Sequence, residues 1–288
     1  MLNDLKVKFK QANALYKLIY INLGVFVFFK ILATFSFLIQ SPSYSAASIF
    51  GIPVNLSELI FKPWTLVTYM FTHEDLFHVL SNLLYLYFTG QIFLQYFTEK
   101  KLYSIYAMGG LLGGLSYLLA FNFFPAFTNI ANSSLIGASA SVMAILFALA
   151  TYVPNYKINL FFLGNIPIKY LAIVFVVMDV INIPNGNSGG HIAHLGGALT
   201  GVVFTYKWKR GTDITLVLEG NLEAVVKLFK KKNLKTVHRR PKSDDTFREE
   251  KVIHNDRINT ILDKISKSGY ESLTEKEKEY MFKNSKKN

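Results

Sequence analysis

Four residues in this chain have the types and spacing for acyl-transfer chemistry in an apolar setting. Ser139 stands in "SSLIGASASVMAILFALA", a greasy run that opens with Ser, Gly and Ala. Small residues let helices approach closely, but packing does not require a hydroxyl there. His194 stands in "HIAHLGGALTG", where Gly197 and Gly201 strip bulk from a second apolar run. His78 and Asn82 are four residues apart and share one face of a helix. A serine within hydrogen-bond reach of a histidine is a nucleophile with its base. His78 and Asn82 would then be donors to the oxyanion formed on the attacked carbonyl.

The elements that must position these residues are membrane spans. The chain has 288 residues, is 51% hydrophobic and has a mean hydropathy of +0.28, which is high for a soluble domain. Residues 1–210 hold 13 Lys and Arg against 6 Asp and Glu, and residues 211–288 hold 18 against 13. That shift predicts a membrane body, 1–210, and a charged soluble tail, 211–288. The net charge of +12 comes without aromatic–basic interleaving, which argues against a nucleic-acid partner. The absence of cysteine excludes disulfides and thiolate chemistry.

A helix needs about 20 apolar residues to cross a bilayer. Six candidate spans occupy roughly 15–39, 77–97, 102–124, 134–152, 167–183 and 190–207. Lys6, Lys8, Lys10 and Lys17 precede the first without a small-residue cleavage pattern, so an uncleaved signal-anchor is expected. Basic residues cluster on one set of connections: the N-terminal lysines, Lys100, Lys101, Lys157, Lys207, Lys209 and Arg210. These face the cytoplasm by the positive-inside rule, and both termini lie there. The second, fourth and sixth spans then run inward from the outer side. Each carries its polar residue soon after its start, and a position five residues in lies roughly 7 Å deep. The segment 40–72 is long yet apolar, and is expected on or in the outer leaflet.

The tail holds a basic stretch, "KLFKKKNLKTVHRRPK", and a helical pair over 256–284, with Thr274 and Glu277 spaced as a capping box. A metal site is the rival reading of the four outer histidines, His73, His78, His191 and His194. His73 and His78 are five apart, whereas the metalloprotease motif has them four apart. Glu74 and Asp75 are the carboxylates near them in sequence.

Together these stretches resemble the rhomboid intramembrane serine proteases. The resemblance rests on "WTLVTYMFTHEDLFHVLSNLLYLYFTG" from Trp64, "GASA" from Gly137 and "AHLGGALTG" from Ala193, and covers about residues 15–207. It implies an all-α, polytopic six-helix membrane bundle with a small helical tail, in a bacterial inner membrane. It implies Ser139 as nucleophile and His194 as base, a dyad without a carboxylate. It implies His78, Asn82 and the Ser139 amide at the oxyanion, with Gly137 matching the glycine two before the nucleophile. The substrates implied are transmembrane proteins, met in the lipid bilayer, and no cofactor or metal is required. An inactive relative that binds membrane proteins without cutting them is the alternative, although such relatives lose the Ser or the His. Three departures stand out. Ala140 replaces the usual Gly and is expected to crowd the sixth span. Thr65 follows Trp64 where many members have Arg. Met143 replaces a Tyr found under the imidazole in some members, which leaves open what orients His194.

Overall fold

The computed structural model of the chain describes residues 2–40, 45–128, 130, 133–160, 164–220 and 244–285. It divides into two compact units, Met1–Lys230 and Lys231–Asn288. The first begins with α1 (Leu2–Gln11) and α2 (Ala14–Leu38). The segment that follows is built from short elements: α3 (Ala46–Phe50), β1 (Ile52–Pro53), α4 (Leu56–Phe61) and α5 (Thr65–Thr68). Five long helices complete the bundle: α6 (Leu76–Tyr96), α7 (Glu99–Phe123), α8 (Ser139–Tyr152), α9 (Ile168–Asn182) and α10 (Ser188–Lys209). Strand β2 (Ser134–Leu135) pairs with β1, and β3 (Lys157–Leu160) forms a hairpin with β4 (Gly164–Pro167).

The six expected spans correspond to α2, α6, α7, α8, α9 and α10. Among the described residues, α2, α7 and α9 with its 3-10 continuation to Asn185 are each long and apolar enough to cross a membrane by themselves. Helix α8 is shorter than expected. Residues 134–135 are not its first turn but β2, and the helix begins at Ser139 itself. Gly137, with φ +111°, prevents an earlier start, because α-helical backbone requires negative φ.

Helix α8 is the axis of the bundle, with nine of its fourteen residues buried. It packs against α10 closely enough that bare glycine is required on the facing side. A methyl group at Gly197 would lie 2.1 Å from the Ala140 carbonyl oxygen, and one at Gly201 would lie 2.2 Å from that of Ala144. Ala140 does not crowd α10, contrary to expectation. Its methyl points toward α7, where Gly113 leaves it room. Helices α2 and α9 lie outermost and show their apolar faces, with Phe37 79% and Ile181 57% exposed. Such surface suits lipid rather than water.

The apolar segment before α6 is ordered by hydrogen bonds to its own backbone. The Trp64 indole donates to the Ile49 carbonyl at 2.9 Å, and the Thr68 hydroxyl to that of Phe50 at 2.9 Å. Thr65 is buried and donates to the Lys62 carbonyl, so the loop is braced without an arginine at that position. The β1–β2 pairing, Ile52 opposite Leu135 and Pro53 opposite Ser134, ties this segment to the approach to Ser139.

Packing of the first unit runs past the charge shift at residue 210. The Lys101 ammonium, at the start of α7, donates to Asp213, to Thr215 Oγ1 at 2.7 Å and to Glu219 Oε1 at 2.7 Å. Burial alone would push the Asp213 carboxyl up. The bonds from Lys101 and Thr215 outweigh it and hold the group below its ordinary value.

In the second unit, the helices Asp244–Ser268 and Glu275–Ser285 pack around Ile261 and Leu273. The Thr274 amide and hydroxyl both donate to Glu277 Oε2, at 2.7 and 2.8 Å, which is the glutamate half of a capping box at the second helix. The basic stretch 227–242 lies outside the described residues.

Candidate active site

Ser139, His194, His78 and Asn82 line one cavity of about 660 Å³, together with Ser133–Ile136, Met143 and residues of α9. Each is delivered by a different local device. Ser139 is the first residue of α8, and the preceding Ala138 supplies no side-chain cap. The first amides of a helix lack intrahelical acceptors and carry the positive end of its dipole. The serine hydroxyl and its own N–H therefore stand at the most electropositive point of the bundle's central helix. Among the described residues no hydrogen bond joins Ser139 Oγ to His194, although both line the same cavity.

Gly137 sets the approach. Its φ of +111° is one that L side chains rarely adopt, and a methyl group there would meet His78 Nε2 at 2.7 Å. The His78 ring thus lies against the bare Gly137 Cα, two residues before Ser139. Asn82, one turn below on α6, is 5% exposed and donates one amide hydrogen to the His78 carbonyl at 2.9 Å. Its second amide hydrogen remains for the cavity. His73, 1% exposed, accepts from the Ala138 amide through Nε2 at 3.3 Å, and its ring meets that of His78 at 5.0 Å between centroids. His73 therefore braces the backbone that carries Ser139. Sequence reasoning noticed it only for its spacing from His78.

The largest addition is Asp179. It lies on α9, is 5% exposed, and its Oδ1 lies 2.9 Å from His194 Nδ1. His191, one turn before His194 on α10, places its own Nδ1 2.8 Å from the same oxygen. The question left by Met143 is thus answered by a carboxylate that the dyad expectation does not include. A signal for Asp179 was present. It is the lone acidic residue in "IKYLAIVFVVMDVIN", and an ionisable residue within a span ordinarily faces a partner or a cavity.

Comparison with known proteins follows the same boundaries. The rhomboid domain family matches residues 61–210, and a family of unknown function (DUF6576) matches residues 242–287 of the tail. The chain is 29% identical over 157 residues to RHOMBOID-like protein 12, mitochondrial, of Arabidopsis thaliana, across 51% of this chain and 47% of that protein. It is 28% identical over 167 residues to Rhomboid-related protein 1 of Caenorhabditis elegans, across 54% of this chain and 43% of that one. It therefore spans less than half the length of either relative. The rhomboid match takes in α5 to α10 and the whole serine–histidine cavity, covers more than half of the chain, and makes this integral membrane protein a member of the rhomboid family.

Proposed function

We propose that the protein is an intramembrane serine endopeptidase that hydrolyses peptide bonds in or near the transmembrane segments of other membrane proteins. The observation that carries this reading is the shared cavity. A hydroxyl at a helix N-terminus, an imidazole oriented by a carboxylate and two side-chain donors converge on it. Asp179 accepts from His194 Nδ1–H, which leaves the Nε2 lone pair free to take a proton. As His194 Nε2 removes the hydroxyl proton, Ser139 Oγ bonds to the substrate's carbonyl carbon and a tetrahedral oxyanion forms. The oxyanion takes hydrogen bonds from the Ser139 amide, the Asn82 side chain and His78, each such donor being worth about 10²–10³ in rate. His194 then protonates the leaving amine. Water, activated by the same imidazole, hydrolyses the acyl-enzyme and restores Ser139.

The substrate segment must unwind to present a peptide bond, because the amides and carbonyls of an intact helix are spent on each other. The basic residues at the cytoplasmic ends of the spans support both termini inside and a cavity open to the outer side, in what we take to be a bacterial inner membrane.

The test is reconstitution of the full chain in proteoliposomes with a panel of single-span substrates. Wild type is expected to release fragments that Ser139→Ala and His194→Ala do not, with the double variant no worse than either alone. Cleavage by purified Ser139→Ala at a rate near wild type sinks the mechanism. A folded wild type that binds these substrates and cuts none favours a non-proteolytic rhomboid.

A further inference from the structure

We propose that Asp179, His191 and His194 form a zinc site whose occupation switches the protease off. The inhibitory consequence rests on the proposed function above; the site itself does not.

Each of the three offers one donor atom, and all three atoms lie within 4.8 Å of one another. The donor set, two imidazoles and one carboxylate, is one that zinc commonly takes, with bonds of about 2.0–2.2 Å and a fourth position left for water. The two rings stand nearly perpendicular, at 86° with centroids 6.0 Å apart. That disposition lets their Nδ1 atoms converge on one ion from different directions. The contacts from Nδ1 to Oδ1 are 2.8 and 2.9 Å, shorter than the roughly 3.4 Å between donors that a tetrahedral zinc with bonds of this length needs. Placing the ion thus requires each imidazole nitrogen to move back from Asp179 Oδ1 by roughly 0.5 Å.

Access and electrostatics favour a cation. The imidazoles keep 20 and 22% of their side-chain surface exposed, while the carboxylate keeps 6%. Asp179 Oδ2 is buried without a hydrogen-bond partner among the described residues. A buried carboxylate oxygen left unpaired is costly, and a metal ion is a partner that either oxygen can take. A helical spacing of three residues puts His191 and His194 on neighbouring faces of α10, and α9 supplies the acid from across the groove. No short sequence motif encodes such a set.

The switch follows from one proton. With Asp179 on Nδ1–H, His194 presents a bare Nε2 to Ser139. When zinc takes Nδ1, the proton of the imidazole resides on Nε2. The ring then has no lone pair to receive the serine proton, although nothing has moved far. Zinc and base catalysis exclude each other at the same residue.

The test is zinc binding to the full chain carrying Ser139→Ala, in detergent and without an affinity tag, measured by titration calorimetry. One saturable zinc per chain is expected, weakened at least tenfold by His191→Ala and by Asp179→Asn in that background, with magnesium giving no such binding. No saturable zinc site, or one that neither substitution weakens, overturns the proposal. Where Asp179→Asn does not fold, His191→Ala and His191→Gln carry the comparison. On the otherwise wild-type chain, zinc should inhibit cleavage. His191→Ala should keep at least a tenth of the activity and require tenfold or more zinc to lose it. Binding at the site without inhibition overturns the switch. Binding as expected in a chain that never cleaves any substrate keeps the site and removes the protease reading.

Discussion

Replacing Asp179 by Asn removes one charge and almost no volume, so its effect isolates the part that carboxylate plays. In the transition state of the proposed reaction His194 becomes a cation whose Nδ1 lies 2.9 Å from Asp179 Oδ1. With the charge centres roughly 4 Å apart and an effective dielectric of about 20, their attraction is about 4 kcal/mol. That corresponds to about 10³ in rate. The substitution has a second route to the same loss. Should the amide turn its NH₂ toward His194, it donates to Nδ1 and pins the ring proton on Nε2, the wrong side for a base. The expected result is a fall in kcat of about 10³ with KM nearly unchanged, because Asp179 lines neither the serine nor the substrate's path. Single-turnover cleavage of a reconstituted single-span substrate measures it, with a thermal melt to verify folding. A folded Asp179→Asn enzyme retaining a third of wild-type kcat would refute the assignment and return the site to an unassisted dyad.

Three further outcomes follow from other parts of the fold. Gly137→Ala is expected to abolish most activity and lower thermal stability, since the backbone conformation alone costs about 1–3 kcal/mol and the new methyl meets His78. Adding His78→Ala should recover part of the lost melting temperature and none of the activity; no recovery would mean the contact is relieved some other way. Truncation after residue 212 strips Lys101 of Asp213, Thr215 and Glu219 and is expected to lower the melting temperature of the membrane unit. Truncation after 230 should not, and equal melting temperatures for the two would show that the cluster contributes nothing. In the tail, bonds from the Thr274 amide and hydroxyl, then Lys264, hold Glu277 down to about 2. Its contribution to helix stability is therefore complete above the ordinary glutamate range and lost as pH falls from there toward 2. Circular dichroism of residues 244–285 should show that loss, and Glu277→Gln should remove the acid limb that it causes.

Much of the site was legible from residue type and depth. Ser139, His194, His78 and Asn82 were picked out because hydroxyl, imidazole and amide groups are costly in a membrane, and they line one cavity. The start of α8 was not legible, since a run of Ser, Gly and Ala reads equally as packing surface or as an extended approach; only the left-handed φ of Gly137 decides it. The difficulty raised by Ala140 dissolved because a one-dimensional reading cannot tell which neighbour a methyl faces. Gly113, the residue that accommodates it, sits 27 positions earlier in another helix. Asp179 was visible as an isolated acid in an apolar helix. Local sequence offers the histidines only Glu74 and Asp75, whereas the carboxylate that bonds His191 and His194 arrives through packing. The pairing of Lys101 with residues more than a hundred positions later was beyond any local pattern for the same reason.

The length of α9 has a consequence for the lipid around the protein. Its 15 residues rise roughly 22 Å, and the 3-10 continuation to Asn185 adds about 6 Å. The hydrocarbon layer of a typical bilayer is about 30 Å thick. Tilting relieves a helix that is too long and cannot lengthen one that is too short. The outward surface of α9 is apolar and meets lipid along most of its length, so the helix spans a typical bilayer with almost nothing to spare, and a thicker one must thin beside it. Such thinning would draw headgroups and water inward beside Leu171 and Phe175, the two α9 residues that wall the cavity. A helix passing this margin would then lose part of its hydrocarbon surroundings before it reached Ser139, by an amount that lipid chain length sets.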